Sequence, residues 1–174
     1  MREVYLKVPE LKDLWFRKKC MEDPDTMSYN AGYDVSYSGY HYDTGCIDFP
    51  ESKWAKWYTE KIIPKKIFYA YIVDKETNEF VGYTNFRKGE DGKYYMGVLV
   101  YSEFRGNGYM KPTLKCLIDE ARKAGAKELW DSVPLNRTSA QKGFKDMGFE
   151  VVEIFESTKF GKPDPCAIIR VKID

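Results

Sequence analysis

Hydrophobic and polar positions form their clearest pattern over residues 97–124, GVLVYSEFRGNGYMKPTLKCLIDEARKA. A short apolar run, Gly97, Val98, Leu99, Val100 and Tyr101, predicts a strand. It leads into a basic glycine turn, Arg105-Gly106-Asn107-Gly108, and then into a helical period. Leu114, Leu117, Ile118 and Ala121 fall on one helix face, and Gly125 ends the pattern. Pro112 is compatible with a first turn, where its missing N–H would have been unpaired anyway, so the helix starts anywhere between Tyr109 and Pro112.

On either side of this segment the pattern supplies the remaining elements. Alternation over residues 2–8 predicts a first strand. Pro9 opens a helix with Leu11, Leu14, Trp15 and Lys18 along one face, stopping near Pro24. Residues 28–45 have no helical period and are dense in Gly, Ser, Asp and Tyr, which predicts a long loop or an irregular hairpin. Residues 51–63 read as a helix, with Trp54, Trp57, Tyr58 and Ile62 at helical spacing and Pro64 as its stop. Segments 66–74, 80–87 and 94–101 predict three consecutive antiparallel strands joined by turns at 76–79 and 89–92. After the central helix come a strand at 128–133, a short helix at 138–147, and two closing strands at 149–156 and 167–173 around a loop at 161–165. Trp15, Trp54, Trp57 and Trp130 read as core residues. This order predicts one α/β domain over residues 1–174. Its mixed, mostly antiparallel sheet carries helices on both faces, and the helix near 110–124 is a right-handed crossover between a parallel pair.

Composition narrows the functional classes. A chain of 174 residues can bury a real core. Its net charge of +1 does not favour nonspecific binding to nucleic acid. Cys20, Cys46, Cys116 and Cys166 are scattered, and with His41 as the lone histidine there is little from which to build a metal site. Free thiols in a reducing cytosol are expected. With no leader-like segment and no apolar run of spanning length, a cytoplasmic protein with no membrane partner is expected, as a monomer or homodimer.

A strand, glycine turn and helix start together present backbone N–H groups that have no internal acceptor, in the positive field of the helix end. Glycines allow an anion to approach the backbone, and Arg105 adds charge, so a phosphate or diphosphate fits. The turn is neither the dinucleotide fingerprint, which needs a third glycine after Gly108, nor a Walker loop. Val98-Leu99-Val100 followed by Glu103-Phe104-Arg105-Gly106-Asn107-Gly108 resembles the acyl-CoA-binding motif of the GNAT superfamily of N-acyltransferases. Arg105 and Gly108 match that motif, and Met110 stands where Gly or Ala is usual. The predicted order of elements is also the GNAT order over nearly the whole chain.

The resemblance implies an acetyl-CoA-dependent N-acetyltransferase with no metal. Arg105 and the amides of Gly106, Asn107, Gly108, Tyr109 and Met110 would hold the diphosphate. Val98, Leu99 and Val100 would pair with the pantetheine arm, and Asn136 or Ser139 would touch the same arm. Free N–H groups of the 97–100 strand would face the thioester carbonyl as it gains charge. A second family signature can be laid over residues 136–149 in two registers, one starting from Asn136 and Ser139, the other ending at Gly148-Phe149. In the second register the family's aromatic proton donor is Phe144, which has no proton to give and reads as plain packing. The position of the family's usual glutamate base is Tyr95, a proton donor rather than a base at neutral pH. Asp131 on the following strand is the substitute base.

Between Glu22 and Glu51 there are seven acidic residues and no Lys or Arg, together with Tyr29, Tyr33, Tyr37, Tyr40 and Tyr42. In the family this segment lines the acceptor pocket. Asp34, Tyr37, Asp43 and Asp48 are therefore the candidate substrate contacts for a small cationic amine such as an aminoglycoside or polyamine. The other reading is that these carboxylates are solvated on a loop. Two further functions stay open: acetylation of a protein lysine or N-terminus, and a CoA-binding regulatory module without catalysis.

Overall fold

The computed structural model describes residues 2–173. Seven strands form one sheet: β1 (Val4–Lys7), β2 (Ile67–Asp74), β3 (Phe80–Lys88), β4 (Tyr94–Val100), β5 (Glu128–Pro134), β6 (Glu150–Phe155) and β9 (Cys166–Lys172). Their spatial order is β1-β2-β3-β4-β5-β9-β6, and every neighbouring pair is antiparallel except β4 and β5. A two-stranded ribbon, β7 (Thr158–Lys159) and β8 (Lys162–Pro163), occupies the expected 161–165 loop. The mixed, mostly antiparallel sheet anticipated from sequence is thus the sheet observed.

Alternation along the strands divides the core between two faces. Tyr69, Tyr71 and Val73 of β2, with Tyr83 and Leu99, pack under α1 (Leu14–Met21) and α3 (Trp54–Lys61). Phe86 and Met96 pack on the opposite face against Leu114, Leu117 and Ala121 of α4 (Met110–Lys123) and Phe144 of α5 (Thr138–Asp146). Phe144 is buried against Phe149, as plain packing requires.

The first third departs from its reading at one helix face. A 3-10 turn, Leu11–Asp13, precedes α1, and this shifts the buried side to Leu14, Phe16, Cys20 and Met21. Leu11 and Trp15 are exposed, so Trp15 is not a core residue. The 28–45 segment is an irregular hairpin whose only bridge outside the named strands pairs Tyr40 with Ile47. It is anchored by α2 (Pro24–Met27), which Asp23 caps by accepting from the Thr26 N–H at 3.1 Å.

Strand β3 must come unusually close to β4. A Cβ built on Gly82 would lie 2.1 Å from the carbonyl oxygen of Leu99, a backbone atom that cannot step aside. Gly82→Ala is therefore expected to destabilise the fold by about 1–3 kcal/mol, as other overpacked sites do. Urea unfolding checks this: a lower midpoint with an unchanged slope is expected.

Candidate active site

β4 and β5 are the parallel pair, and they meet at a single register point, Tyr95 with Trp130. The Tyr101 N–H donates to Val81 O at 2.8 Å, on the β3 side. N–H direction alternates along a strand, so Leu99 and Gly97 also turn towards β3, whereas Val98 and Val100 turn towards β5. Beyond Tyr95 the strands diverge, and these two N–H groups open onto a cavity of 690 Å³. Of the four strand residues expected to supply free N–H groups, the alternation selects Val98 and Val100. Gly97 leaves space for Asn85, whose side-chain nitrogen would sit 3.3 Å from a Cβ placed there. Asn85 also lines the cavity.

At the end of β4 the chain passes through a 3-10 turn, Ser102–Phe104, to the glycine turn and α4. Gly106 and Gly108 have φ of +77° and +82°, and a side chain at either would meet open space. Their glycine identity therefore follows from the backbone conformation. The N–H groups of residues 106–111 find no acceptor among the described residues. Tyr109 takes the N-cap position of α4 without capping it, because its hydroxyl donates to Asp74. Asn107 bends back instead, donating to Phe104 O at 3.0 Å and Arg105 O at 3.1 Å. A run of unsatisfied donors at the positive end of a fourteen-residue helix suits a diphosphate. The turn therefore fits CoA.

Arg105 holds this turn in place. Its guanidinium fans across three carbonyls, donating to Val100 at 3.1 Å, Asp25 at 3.1 Å and Thr26 at 2.7 Å. Ser102 adds two bonds to the same segment, from its N–H to Thr26 Oγ1 and from its hydroxyl to Asp23, both at 3.0 Å. Three of the five Arg105 donors are thus spent on α2 and β4, which makes it a brace between the acidic segment and the anion-binding turn. Burial and the nearby Arg137 charge lower its pKa from the usual value.

The cavity gathers Val98, Leu99, Val100, Arg105, Gly106, Gly108, Tyr109, Met110, Ser139 and Asp131 from the residues anticipated. Asn107 lines a contiguous groove of 1010 Å³ between α4 and α5, which shares Gly108, Met110 and Ser139. Asn136 is exposed on the turn after β5 and lines neither space. Tyr95 lies outside as well, its hydroxyl donating to Asp91 in the β3–β4 turn. Asp34, Tyr37, Asp43 and Asp48 do not reach the cavity either. Asp48 pairs with exposed His41 at 2.8 Å, and Tyr37 packs on Tyr40.

The same hairpin contributes Tyr29, Asn30 and Tyr33 to the wall instead, facing Tyr83 and Arg137. Arg137 lies 5.8 Å from the centroid of the Tyr29 ring. Two tyrosines of the segment thus line the cavity, and neither is among the four residues chosen from sequence. Asp131 stands on β5 opposite the free β4 edge. Burial raises its carboxyl to about 7, against the lowering effects of the Ser132 N–H bond at 2.8 Å and of Arg137. No group of potential metal ligands occurs among the described residues.

Residues 33–149 match the model of the acetyltransferase (GNAT) family, more than half of the chain. The chain belongs to that family and is an acetyl-CoA-dependent N-acetyltransferase. Similar solved structures share the fold at low identity. The spermidine N-acetyltransferase of Vibrio cholerae, in complex with CoA and spermine, has a TM-score of 0.79 and 12% identity, covering 98% of this chain and 96% of its own. yncA of Salmonella typhimurium, with its cofactor acetyl-CoA, has a TM-score of 0.72 and 17% identity over 98% and 94%. A GNAT-family acetyltransferase of Bacillus anthracis has a TM-score of 0.73 and 13% identity over 99% and 98%. No curated protein sequence matches this one.

Because Arg105 acts through its three-carbonyl fan, charge alone does not replace it. Arg105→Lys is expected to weaken CoA binding about as much as Arg105→Ala, on the order of 10-fold, the usual loss for about one charge-assisted hydrogen bond. Calorimetric titration with CoA decides this. Full rescue by lysine would show that the charge, and not the brace, is what the turn requires.

Proposed function

We propose that the protein transfers the acetyl group of acetyl-CoA to a compact primary amine, with Asp131 as the base. The supporting observation is that a carboxyl with a pKa of about 7 shares one cavity with two free strand N–H groups. An amine arrives mostly as its ammonium ion and must lose a proton before it can attack a thioester. A carboxylate poised near neutrality is matched to that task. Ionised Asp131 accepts the ammonium proton, directly or through water. The Val98 and Val100 N–H groups face the oxygen that gains negative charge. The glycine turn and Arg105 fix the other end of the donor, so much of the acceleration comes from alignment.

The departing sulfur needs a proton in turn. Phe144 is buried and has none to give. Tyr33 and Tyr109 donate to Asp164 and Asp74, which leaves Tyr29 and Tyr83 as cavity phenols with uncommitted hydroxyls among the described residues. Burial raises the pKa of both, so each keeps its proton at neutral pH.

A second reading takes a polycationic acceptor, such as a polyamine or aminoglycoside. The spermine-bound V. cholerae enzyme and the acidic hairpin favour it. Its carboxylates Asp34, Asp43 and Asp48 lie outside the cavity, so they would act on such a substrate from the rim.

Asp131 separates activity from stability in a measurable way. Its native pKa is raised, so the folded state holds the proton more tightly than the unfolded chain. Its contribution to stability therefore falls as pH rises from the ordinary carboxylate range to about 7, then levels off. Activity runs the other way, because the base must be ionised. The expected pH profile of kcat/KM has a rising limb centred near 7. Asp131→Asn should remove that limb and lower kcat/KM by about 10²–10⁴-fold, while raising Tm at pH 8. A variant that keeps both the limb and the rate would exclude Asp131 as the base.

A further inference from the structure

Arg17 of α1 is a half-buried cation with no anion beside it. Its guanidinium carbon lies 4.1 Å from the centroid of Trp57, 5.1 Å from Phe49, 5.4 Å from Tyr69 and 5.7 Å from Tyr83. Its side chain makes one hydrogen bond, from Nη1 to the Tyr69 hydroxyl at 3.2 Å. The titratable groups that act on it are the phenols of Tyr69, Tyr83 and Tyr71, and burial holds all three neutral. No carboxylate pairs with Arg17 among the described residues. Nε is sealed from solvent and donates to nothing. Nη2 also donates to nothing, but it is not sealed in.

Aromatic faces offset part of the cost of burying a guanidinium, but they supply no acceptors for its N–H groups. A structural cation in a core is normally paired. The arrangement here instead resembles a planar fork held ready by stacked rings, with donors to spare.

The cage touches the reaction cavity through one ring, and Arg17 itself lies behind that ring rather than in the lining. Tyr83 is at once a ring of the Arg17 cage and a wall of the 690 Å³ space. Tyr29, across the same cavity, also feels the Arg17 charge. Arg105 and Arg137 line this cavity with one carboxylate, Asp131, while Asp23 and Asp25 act on Arg105 and Asp164 accepts from Tyr33 behind the wall.

We propose that Arg17 anchors a carboxylate on the acceptor, so that the substrate is a small amino carboxylate. The proposal rests on the acetyl-transfer reading above. The carboxylate takes the open Nη2 donors of the Arg17 fork, reaching them past Tyr83, and the same contact aligns the amine towards Asp131 and the free edge of β4. Arg17 binds substrate and takes no part in proton transfer.

Matched acceptor pairs test this on the unaltered protein with acetyl-CoA: lysine against cadaverine, arginine against agmatine, phenylalanine against phenethylamine. The amino carboxylate of at least one pair should be preferred in kcat/KM by about 100-fold, within the range for a buried charge contact. Arg17→Met, which keeps an apolar chain in the cage, should collapse that ratio, with the change mainly in KM. Arg17→Lys, which keeps the charge without the fork, should restore part of it. CoA titration confirms that each variant is folded.

Acetylation of both members of every pair at equal rates would overturn the carboxylate anchor and leave acetyl transfer standing. So would a preference for the decarboxylated members, which would support the polycation reading. If no acceptor turns over, the acetyl-transfer assignment to small amines is what fails. Thermal shift with the amino carboxylates in the presence of CoA then decides the anchor on its own. Stabilisation lost in Arg17→Met upholds it, and no stabilisation overturns it.

Discussion

β4 and β5 run parallel but pair at one point, Tyr95 with Trp130, and everything the site does follows from their separation beyond it. A sheet normally uses every inner N–H in its ladder, and an unpaired one inside a protein is costly. Here the cost falls on Val98 and Val100, and it is tolerated because the edge opens onto a cavity where a ligand can complete the bonds. The antiparallel partners on either side are fully paired: β3 with β4 over seven register positions, β9 with β5 over seven more. Those ladders keep the gap open, since neither strand can lean across without breaking its own hydrogen bonds. The parallel pair is thus a fixed opening between two rigid halves.

The same division explains why the fold was so readable. Residues 66–134 contain strands and a helix whose apolar periods are clean because each packs one face against a sheet or helix, and their limits agree with the sequence within one or two residues. Gly106 and Gly108 were legible as a turn ahead of a helix, and both take the positive φ that such a turn requires. The face of α1 was not. A 3-10 turn from Leu11 to Asp13 advances the helix by a different angle per residue, so counting from Pro9 put Trp15 inside and Phe16 outside. No residue type announces that change of period.

The acceptor wall illustrates a different limit. The family resemblance placed residues 22–51 beside the acceptor, and within them Tyr29 and Tyr33 line the cavity. Composition does not say which side of an irregular hairpin turns inward, because there is no repeat to fix the phase. Arg105 was legible as important but not in its role: only the three carbonyl contacts identify it as the clamp that joins α2 to the anion-binding turn. Arg17 carried no sequence signal at all. It looks like one more basic residue in RKK, and its cage is assembled from Phe49, Trp57, Tyr69 and Tyr83, which are far apart in the chain.

Asp131 and Arg17 are best understood together, because each is unusual for the same physical reason. Both are largely withdrawn from water, and neither has an opposite charge in direct contact. A carboxyl can respond by keeping its proton to about pH 7, and this one does. A guanidinium has no such outlet, since it stays charged throughout the accessible pH range. The chain therefore carries one group whose charge adjusts, in the cavity wall, and one whose charge is permanent, behind the Tyr83 ring of that wall. An amine bearing a carboxylate complements both: its cationic end meets the group that takes a proton, and its anionic end meets the group that cannot give one up. A simple diamine would complement only the first, and its second charge would be brought towards a permanent cation.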